Sequence, residues 1–134
     1  MNRRGFLRAV GATGLLLWMQ GPAGAMARRP KTTEQLIRQA LAEHRVVEFH
    51  YHGFSRQVEP HALGHATEDR LALLGWQVAG GSASEPPPGW RTFLLADIGP
   101  LRLGRRTFTT RQDYRPETTR LQPIEAEVAS GEKS

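Results

Sequence analysis

The hydrophobic pattern of this chain changes its period once, close to Arg45, and this change constrains the fold more than any other feature. Before it, apolar residues recur at the spacing of one helix face: Leu36, Ile37, Ala40 and Leu41. Thr32 is followed three positions later by Gln35, which is typical of a capping box at the start of a helix. The pattern predicts one short amphipathic helix from Thr33 to about His44.

Beyond Arg45 the apolar residues alternate with polar ones, which is the period of a half-buried strand. Val47, Phe49 and Tyr51 fall on one face of this first strand. Pro60 restricts the second strand to a sheet edge or a bulge, because proline cannot donate to the ladder. The strands predicted after the first cover residues 58–64, 70–78, 90–95 and 101–108.

The order of these elements predicts an α+β fold that is mainly β. One N-terminal helix followed by five short strands favours a small five-stranded barrel, since closure leaves no strand edge exposed. We expect this domain to span residues 32–115. The glycine- and proline-rich segment 80–89 is expected to form an exposed, mobile loop. Residues 116–134 become polar and proline-rich, and they are predicted to form a disordered tail.

Residues 1–27 have the layout of an export signal, with a charged start, a short apolar run over residues 9–18 and a small-residue end. The arginine pair at positions 3 and 4, followed by Phe6 and Leu7, resembles the twin-arginine signal. The apolar run is too short to span a membrane. We therefore expect a periplasmic or secreted protein without a stable membrane anchor, or a cytoplasmic one if translation starts at Met26.

The composition limits the partners and the sources of stability. Cysteine is absent, which excludes disulfides and thiolate metal sites. The formal net charge is +5, but three arginines lie within the first 25 residues, and the rest of the chain carries only +2. The overall charge therefore gives little reason to expect a polyanionic partner, although residues 102–120 are locally basic.

Residues 36–108 resemble the WYL domain, a helix with an Sm-like β-barrel that is usually found in bacterial regulators. The resembling segments are residues 37–41, 47–51, 56–64 and 91–93. Two positions depart from the family pattern. The Trp-Tyr-Leu triplet is replaced by Leu71-Ala72-Leu73, and Asp97 stands where the family has an arginine.

The resemblance implies a sensor domain with a basic pocket for nucleic acid or nucleotide-like ligands. Carried over to this sequence, the pocket residues are Tyr51, Arg56, His61 and Arg91. Two guanidinium groups, an imidazole and a phenol suit a phosphate or carboxylate through bidentate hydrogen bonds. We therefore expect a non-enzymatic module for an anionic nucleotide or single-stranded nucleic acid. Trp76 is a further candidate, either stacking on a nucleobase or packing at the base of the loop.

Other interpretations of these residues stay open. Arg56 and Arg91 are equally compatible with solvated strand charges. Histidine supplies the nitrogen ligands that zinc and copper accept, so a metal site is a second hypothesis. Its candidate ligands are His50, His52, His61 and His65. A third hypothesis is a module that binds a protein partner at the cell envelope through its long loop.

Catalytic motifs are missing from the sequence. No serine lies in a nucleophile elbow, no glycine-rich phosphate loop precedes a helix, and no carboxylate pair shares an element. We expect no catalytic residue and no cofactor.

Overall fold

The structure is a computed structural model that describes residues 29–128, and the fold is given for this part of the chain. Helix α1 spans Thr33–Glu43. The strands are β1 (Arg45–Tyr51), β2 (Phe54–His65), β3 (Leu71–Gly80), β4 (Gly89–Leu94), β5 (Arg102–Thr107) and β6 (Ile124–Glu127). Single 3₁₀ turns occur at Thr67–Asp69, Leu95–Asp97 and Pro116–Thr118.

Helix α1 begins with the capping box that the sequence predicts. The Gln35 backbone N–H donates to Thr32 Oγ1 at 3.1 Å, and the Thr32 N–H donates to Gln35 Oε1 at 2.9 Å. The helix ends at His44, whose left-handed backbone (φ 54°) stops the helical ladder. Its apolar face, centred on Ile37 and Leu41, is fully buried against the sheet. The predicted helix is confirmed.

Strands β1 and β2 form a hairpin with a two-residue turn at His52-Gly53. Tyr51 pairs with Phe54, and both turn residues have positive φ angles, 49° and 85°. This is the geometry of the turn that matches the twist of antiparallel strands, and glycine adopts it without strain.

The strands form one antiparallel sheet in the order β4-β3-β2-β1-β5. Strand β2 is long enough to pair with two strands along the same edge. Its first half pairs with β1, and its second half pairs with β6. The register between β2 and β3 shifts between Pro60 and Ala62. This irregularity confirms the bulge predicted at Pro60, which lies within a central strand.

The α+β, mainly antiparallel fold is confirmed, but the sheet described here has six strands and is open. No pairing joins β4 to β5 within residues 29–128, so the predicted five-stranded barrel is not what the structure shows. Strand β4 ends in the Leu95–Asp97 turn rather than continuing along the sheet. Strand β5 exposes Arg102, Arg105 and Arg106, and such charges keep a sheet edge unpaired.

Apolar residues cover both faces of the sheet. On one face α1 packs over a large cluster that includes Val47, Phe49, Leu63, Leu73 and Phe93. On the opposite face a smaller cluster forms around Ala62, Ala72 and Leu121, with Leu74 and Ile124 beside it. The adjacent residues Leu73 and Leu74 therefore pack on opposite faces of the sheet, as the continuous apolar run in β3 predicts.

The prediction of a disordered tail is wrong for residues 116–128. Strand β6 pairs with β2, and Leu121 and Val128 are only 6% and 7% exposed. The Gln122 and His65 backbones also bond to each other, with the Gln122 N–H donating to the His65 carbonyl at 2.8 Å. The segment is ordered because it covers apolar side chains on the second face of the sheet. Residues 129–134 lie outside the described part.

The predicted twin-arginine signal, residues 1–27, also lies outside the described residues. Among residues 29–128 there is no helix with the length and hydrophobicity needed to cross a membrane.

The C-terminal segment is also held by a cluster of charged side chains around His65. His65 Nε2 lies 2.7 Å from Glu125 Oε2 on β6, and His65 Nδ1 lies 3.0 Å from Asp69 Oδ1. Arg38 on α1 reaches Glu125 Oε1 at 3.5 Å and also bonds to Glu34. The hydrogen bond that His65 donates to Glu125 raises the pKa of His65 above its usual value, and the same bond lowers the pKa of Glu125.

Leu121→Ala tests the corrected assignment of the tail. We expect it to lower the free energy of unfolding by about 2–5 kcal/mol, because it removes a buried side chain and leaves a cavity. The exposed neighbour Arg120 provides the control, and Arg120→Ala should change stability by less than about 0.5 kcal/mol. Urea denaturation measures both. Equal stability of the two variants would show that the tail does not pack.

His65→Gln tests the charged cluster through the pH dependence of stability. The contribution of His65 is fully present below its usual pKa of 6.5 and is lost as pH rises through its raised pKa. The contribution of Glu125 is present above 4.5 and is lost as pH falls through its lowered pKa. The difference in stability between wild type and His65→Gln should therefore be largest between pH 4.5 and 6.5. His50→Gln, at an exposed position on β1, should show no such maximum.

Candidate functional site

A pocket of about 430 Å³ opens between the end of β1, the start of β2, strand β4 and the loop after β3. Its volume is within the range of small-molecule sites, about 300–1,000 Å³. The residues that determine its chemistry are Tyr51, Arg56, Ser82, Ser84, Arg91 and Phe93.

Arg56 is the most deeply placed charge of the pocket, with only 5% of its surface exposed. Its Nη1 donates to Gln77 Oε1 at 3.1 Å, and its Nη2 donates to the Tyr51 carbonyl at 3.0 Å. The rings of Tyr51, Phe54 and Phe93 surround the guanidinium at 5.4–5.6 Å. Its Nε is buried and has no hydrogen-bond partner. Protein acceptors therefore use two of the five N–H donors of this buried cation.

Gln77 holds Arg56 in this position. Its amide is fully buried, with Oε1 accepting from Arg56 and Nε2 donating to the carbonyls of Ala79 and Gly81, both at 3.1 Å. One side chain thus connects the buried guanidinium to the start of the loop that forms a wall of the pocket. Gly80 has a φ of 104° and passes too close to the Ser55 carbonyl for a side chain, which directs the loop across the site.

Arg91 supplies the second guanidinium. Arg91 and Phe93 are two positions apart on β4, so both side chains face the pocket side of the sheet. Its Nη1 donates to Ser84 Oγ at 2.9 Å, and its Nη2 donates to the Glu85 carbonyl. Its Nε, like that of Arg56, is buried without a partner. The loop predicted to be simply exposed therefore lines the pocket and contacts one of its two cations.

The two arginines make the pocket strongly electropositive. In the described part of the chain, every acceptor that their side chains reach is a neutral oxygen. Burial lowers the pKa of Arg56, and the nearby charge of Arg91 lowers it further. Arg56 stays charged at neutral pH, because the usual pKa of arginine lies so far above it. A buried cation without a counter-charge is unfavourable, so an anion in the pocket would be stabilised.

Tyr51 and His52 form the rim of the site. Tyr51 is 8% exposed, and its hydroxyl accepts a hydrogen bond from the Leu94 N–H at 3.0 Å. The His52 ring stacks on Tyr51 with centroids 4.0 Å apart, and its Nε2 lies 3.1 Å from Asp97 Oδ2. Tyr51 is thus both a core residue and part of the pocket wall.

The structure does not bring His61 to the pocket. Its ring is fully buried, with Nδ1 donating to the Glu59 carbonyl at 2.9 Å and Nε2 accepting from the Arg111 N–H at 3.1 Å. It packs against Trp90 and Tyr114, and burial lowers its pKa. Arg56 and His61 lie five positions apart on β2, and alternation along a strand brings only residues an even number of positions apart to one face. Its expected convergence with the two arginines is therefore wrong.

Trp76 also lies outside the pocket. The Arg111 guanidinium lies over its ring, 3.6 Å from the centroid. The Trp90 ring packs against it edge to face, with centroids 5.4 Å apart. The interpretation as packing near the loop base agrees with these contacts. Trp90, the other tryptophan beside this loop, is among the residues that line the pocket.

The four histidines of the metal hypothesis are not brought together. His61 is buried, His52 faces Asp97, and His65 faces Glu125. Residues 29–128 contain no group of three or more histidine and acidic side chains arranged to hold a metal ion.

Three polar residues of the site were missed in the sequence. Ser82 and Ser84 lie in a segment whose composition indicates only a loop. Gln77 did leave a signal, since it is a polar residue on a strand that is otherwise almost entirely apolar. Such a residue on a buried strand needs a hydrogen-bond partner, and here the partner is Arg56.

No family model matches this sequence, and no curated protein matches it. Among solved structures, proteasome accessory factor B/C (PafBC) of Arthrobacter aurescens is similar, with 18% sequence identity and a TM-score of 0.48. The similarity covers 60% of this chain but only 13% of that chain. Membership of the WYL family therefore stays a prediction that depends on the sequence segments.

Gln77→Leu tests the support of Arg56. It removes the acceptor for Arg56 Nη1 and leaves another buried donor unpaired, so we expect the free energy of unfolding to fall by about 1–3 kcal/mol. Gln122→Leu is the matched control at an exposed position and should change it by less than about 0.5 kcal/mol. Denaturant titration compares the two. A Gln77→Leu protein as stable as wild type would show that Gln77 does not hold the guanidinium.

Proposed function

We propose that this protein is a non-enzymatic, WYL-like ligand-binding domain whose pocket captures an anionic group between Arg56 and Arg91. The observation that carries the proposal is the pair of guanidinium groups whose Nε atoms are both buried and both without a partner. Such donors are rare in folded proteins unless something binds them. An oxyanion beside the two guanidinium groups balances their charge and accepts charge-assisted hydrogen bonds.

The anion is proposed to be the phosphate of a nucleotide or of single-stranded nucleic acid. Support for phosphate comes from the donors, because guanidinium groups match its oxygens in geometry and charge. Support for an attached base comes from the aromatic lining, since Tyr51 and Phe93 border the same pocket. No metal or catalytic side chain is needed for this role.

The proposed setting is the periplasm or the cell exterior, reached through the twin-arginine signal. There the domain would act as a receptor for anionic ligands. N-terminal sequencing of the protein from the periplasmic and cytoplasmic fractions tests this part alone. A chain that begins at residue 26 or 28 and is found in the periplasm supports export. An intact start at Met1, or a start at Met26 found only in the cytoplasm, contradicts it.

Arg91→Gln tests the pocket by ligand binding. Titration of the full chain with nucleoside 5′-monophosphates and short single-stranded oligonucleotides should give affinities that fall as salt rises. Arg91→Gln should weaken binding by about 10- to 100-fold, because it removes a charge-assisted contact of about 1.5–3 kcal/mol. Arg91 is half-buried at the pocket rim, so the variant is expected to fold.

Arg105→Gln is the matched control for this titration. Arg105 is an exposed arginine on β5 and is not part of the pocket lining. Arg105→Gln lowers the net charge by the same amount as Arg91→Gln, so its effect on affinity should stay within about twofold if the contact is local. Equal losses in the two variants would mean that ligands bind through general charge, and the proposed pocket would be abandoned.

A further inference from the structure

The charge and the free donors of the pocket limit which kind of phosphate it can hold best. Arg56 and Arg91 together contribute two positive charges, and all their acceptors are neutral oxygens in the described residues. The nearby acid Asp97 already faces His52. A phosphate diester carries one negative charge, so it would leave one of the two cations uncompensated. A phosphate monoester carries about −1.5 to −2 at pH 7 and balances both.

The geometry of the donors favours the same choice. Each guanidinium makes one protein contact through each Nη atom, and each Nη carries a second hydrogen that these contacts do not use. The hydroxyls of Ser82 and Ser84 lie 3.2 Å apart in the same pocket wall. The unused guanidinium N–H groups and a serine hydroxyl provide donors for three oxygens. A monoester presents three terminal oxygens, whereas a diester within a chain presents two.

The size of the pocket limits the rest of the ligand. A volume of about 430 Å³ is at the lower end of the range for ligand sites, about 300–1,000 Å³. One terminal nucleotide fits such a space, but several consecutive nucleotides do not. The aromatic lining then borders the group attached to the phosphate.

We propose that the pocket recognises a terminal phosphate monoester, as in a nucleoside 5′-monophosphate or a 5′-phosphorylated strand end, in preference to an internal phosphodiester. This inference rests on the proposed function, because it specifies the anion that the same pocket takes. It makes the site a reader of phosphorylated ends rather than of a continuous backbone. The selectivity comes from the charge balance, so it depends on both arginines being present.

The test compares matched ligands that differ in the phosphate alone. The full chain is titrated with the four nucleoside 5′-monophosphates and with the corresponding 3′,5′-cyclic monophosphates, which keep base and sugar but carry a diester with one charge. Binding is followed through the arginine Nε–H signals in ¹⁵N–¹H NMR spectra, and the signal of Arg91 is assigned as the one missing in Arg91→Gln. We expect at least tenfold tighter binding of the monoesters and shifts of both pocket Nε–H signals.

Variants decide whether the preference comes from the charge pair. Arg91→Gln should reduce the monoester-to-cyclic affinity ratio toward one, whereas Arg105→Gln should leave the ratio unchanged. A ratio that stays at tenfold or more in Arg91→Gln would overturn the inference, since charge balance would not be its source.

The remaining outcomes separate this inference from the proposed function. Equal binding of monoesters and cyclic diesters at the pocket Nε–H groups would overturn the preference and leave the anion pocket in place. If acetate or sulfate shifts these signals and no phosphate compound does, the preference for a phosphate monoester is also overturned, and the anion pocket stays in place. If none of these anions shifts either signal, both the inference and the proposed function fail.

Discussion

The burial of the Arg56 guanidinium is the interaction on which the rest of the site depends. A cation at 5% exposure is tolerated here because a fully buried amide, a backbone carbonyl and three aromatic rings surround it. These partners are polar or polarisable, but none is negatively charged. The core therefore holds the charge in place without neutralising it. This uncompensated charge is what makes the adjacent cavity a site for an anion.

The architecture of the sheet explains how such a charge is held. Helix α1 covers one face near its centre, and the C-terminal segment covers the other, so the strands between them are packed on both faces. Gln77 on β3 reaches both Arg56 and the carbonyl of Gly81, so it connects the buried cation to the loop that carries Ser82 and Ser84. The loop in turn contacts Arg91 through Ser84. Sheet, cation pair and loop thus form one hydrogen-bonded unit around the pocket.

Local patterns predict local structure well in this chain, and they fail where distant segments meet. The capping box at Thr32, the alternation from Val47 and the bulge at Pro60 were all readable, because each depends on neighbouring residues. The expected convergence of His61 with Arg56 was wrong, because the two residues lie five positions apart and strand alternation does not place them on one face. The tail was missed because Leu121 and Val128 are isolated apolar residues whose partners lie far away in sequence. Barrel closure failed for the same reason, because it depends on pairing between β4 and β5.

Of the predicted pocket residues, the structure brings together Tyr51, Arg56 and Arg91, while His61 and Trp76 have structural partners elsewhere. The central claim is that the guanidinium groups of Arg56 and Arg91 bind one anion together. A crystal structure of the full chain with a nucleoside 5′-monophosphate measures this directly. The account predicts a phosphate with oxygens about 2.7–2.9 Å from guanidinium nitrogen atoms of both Arg56 and Arg91. A phosphate bound at the exposed arginines of β5, with the pocket left to water, would contradict it.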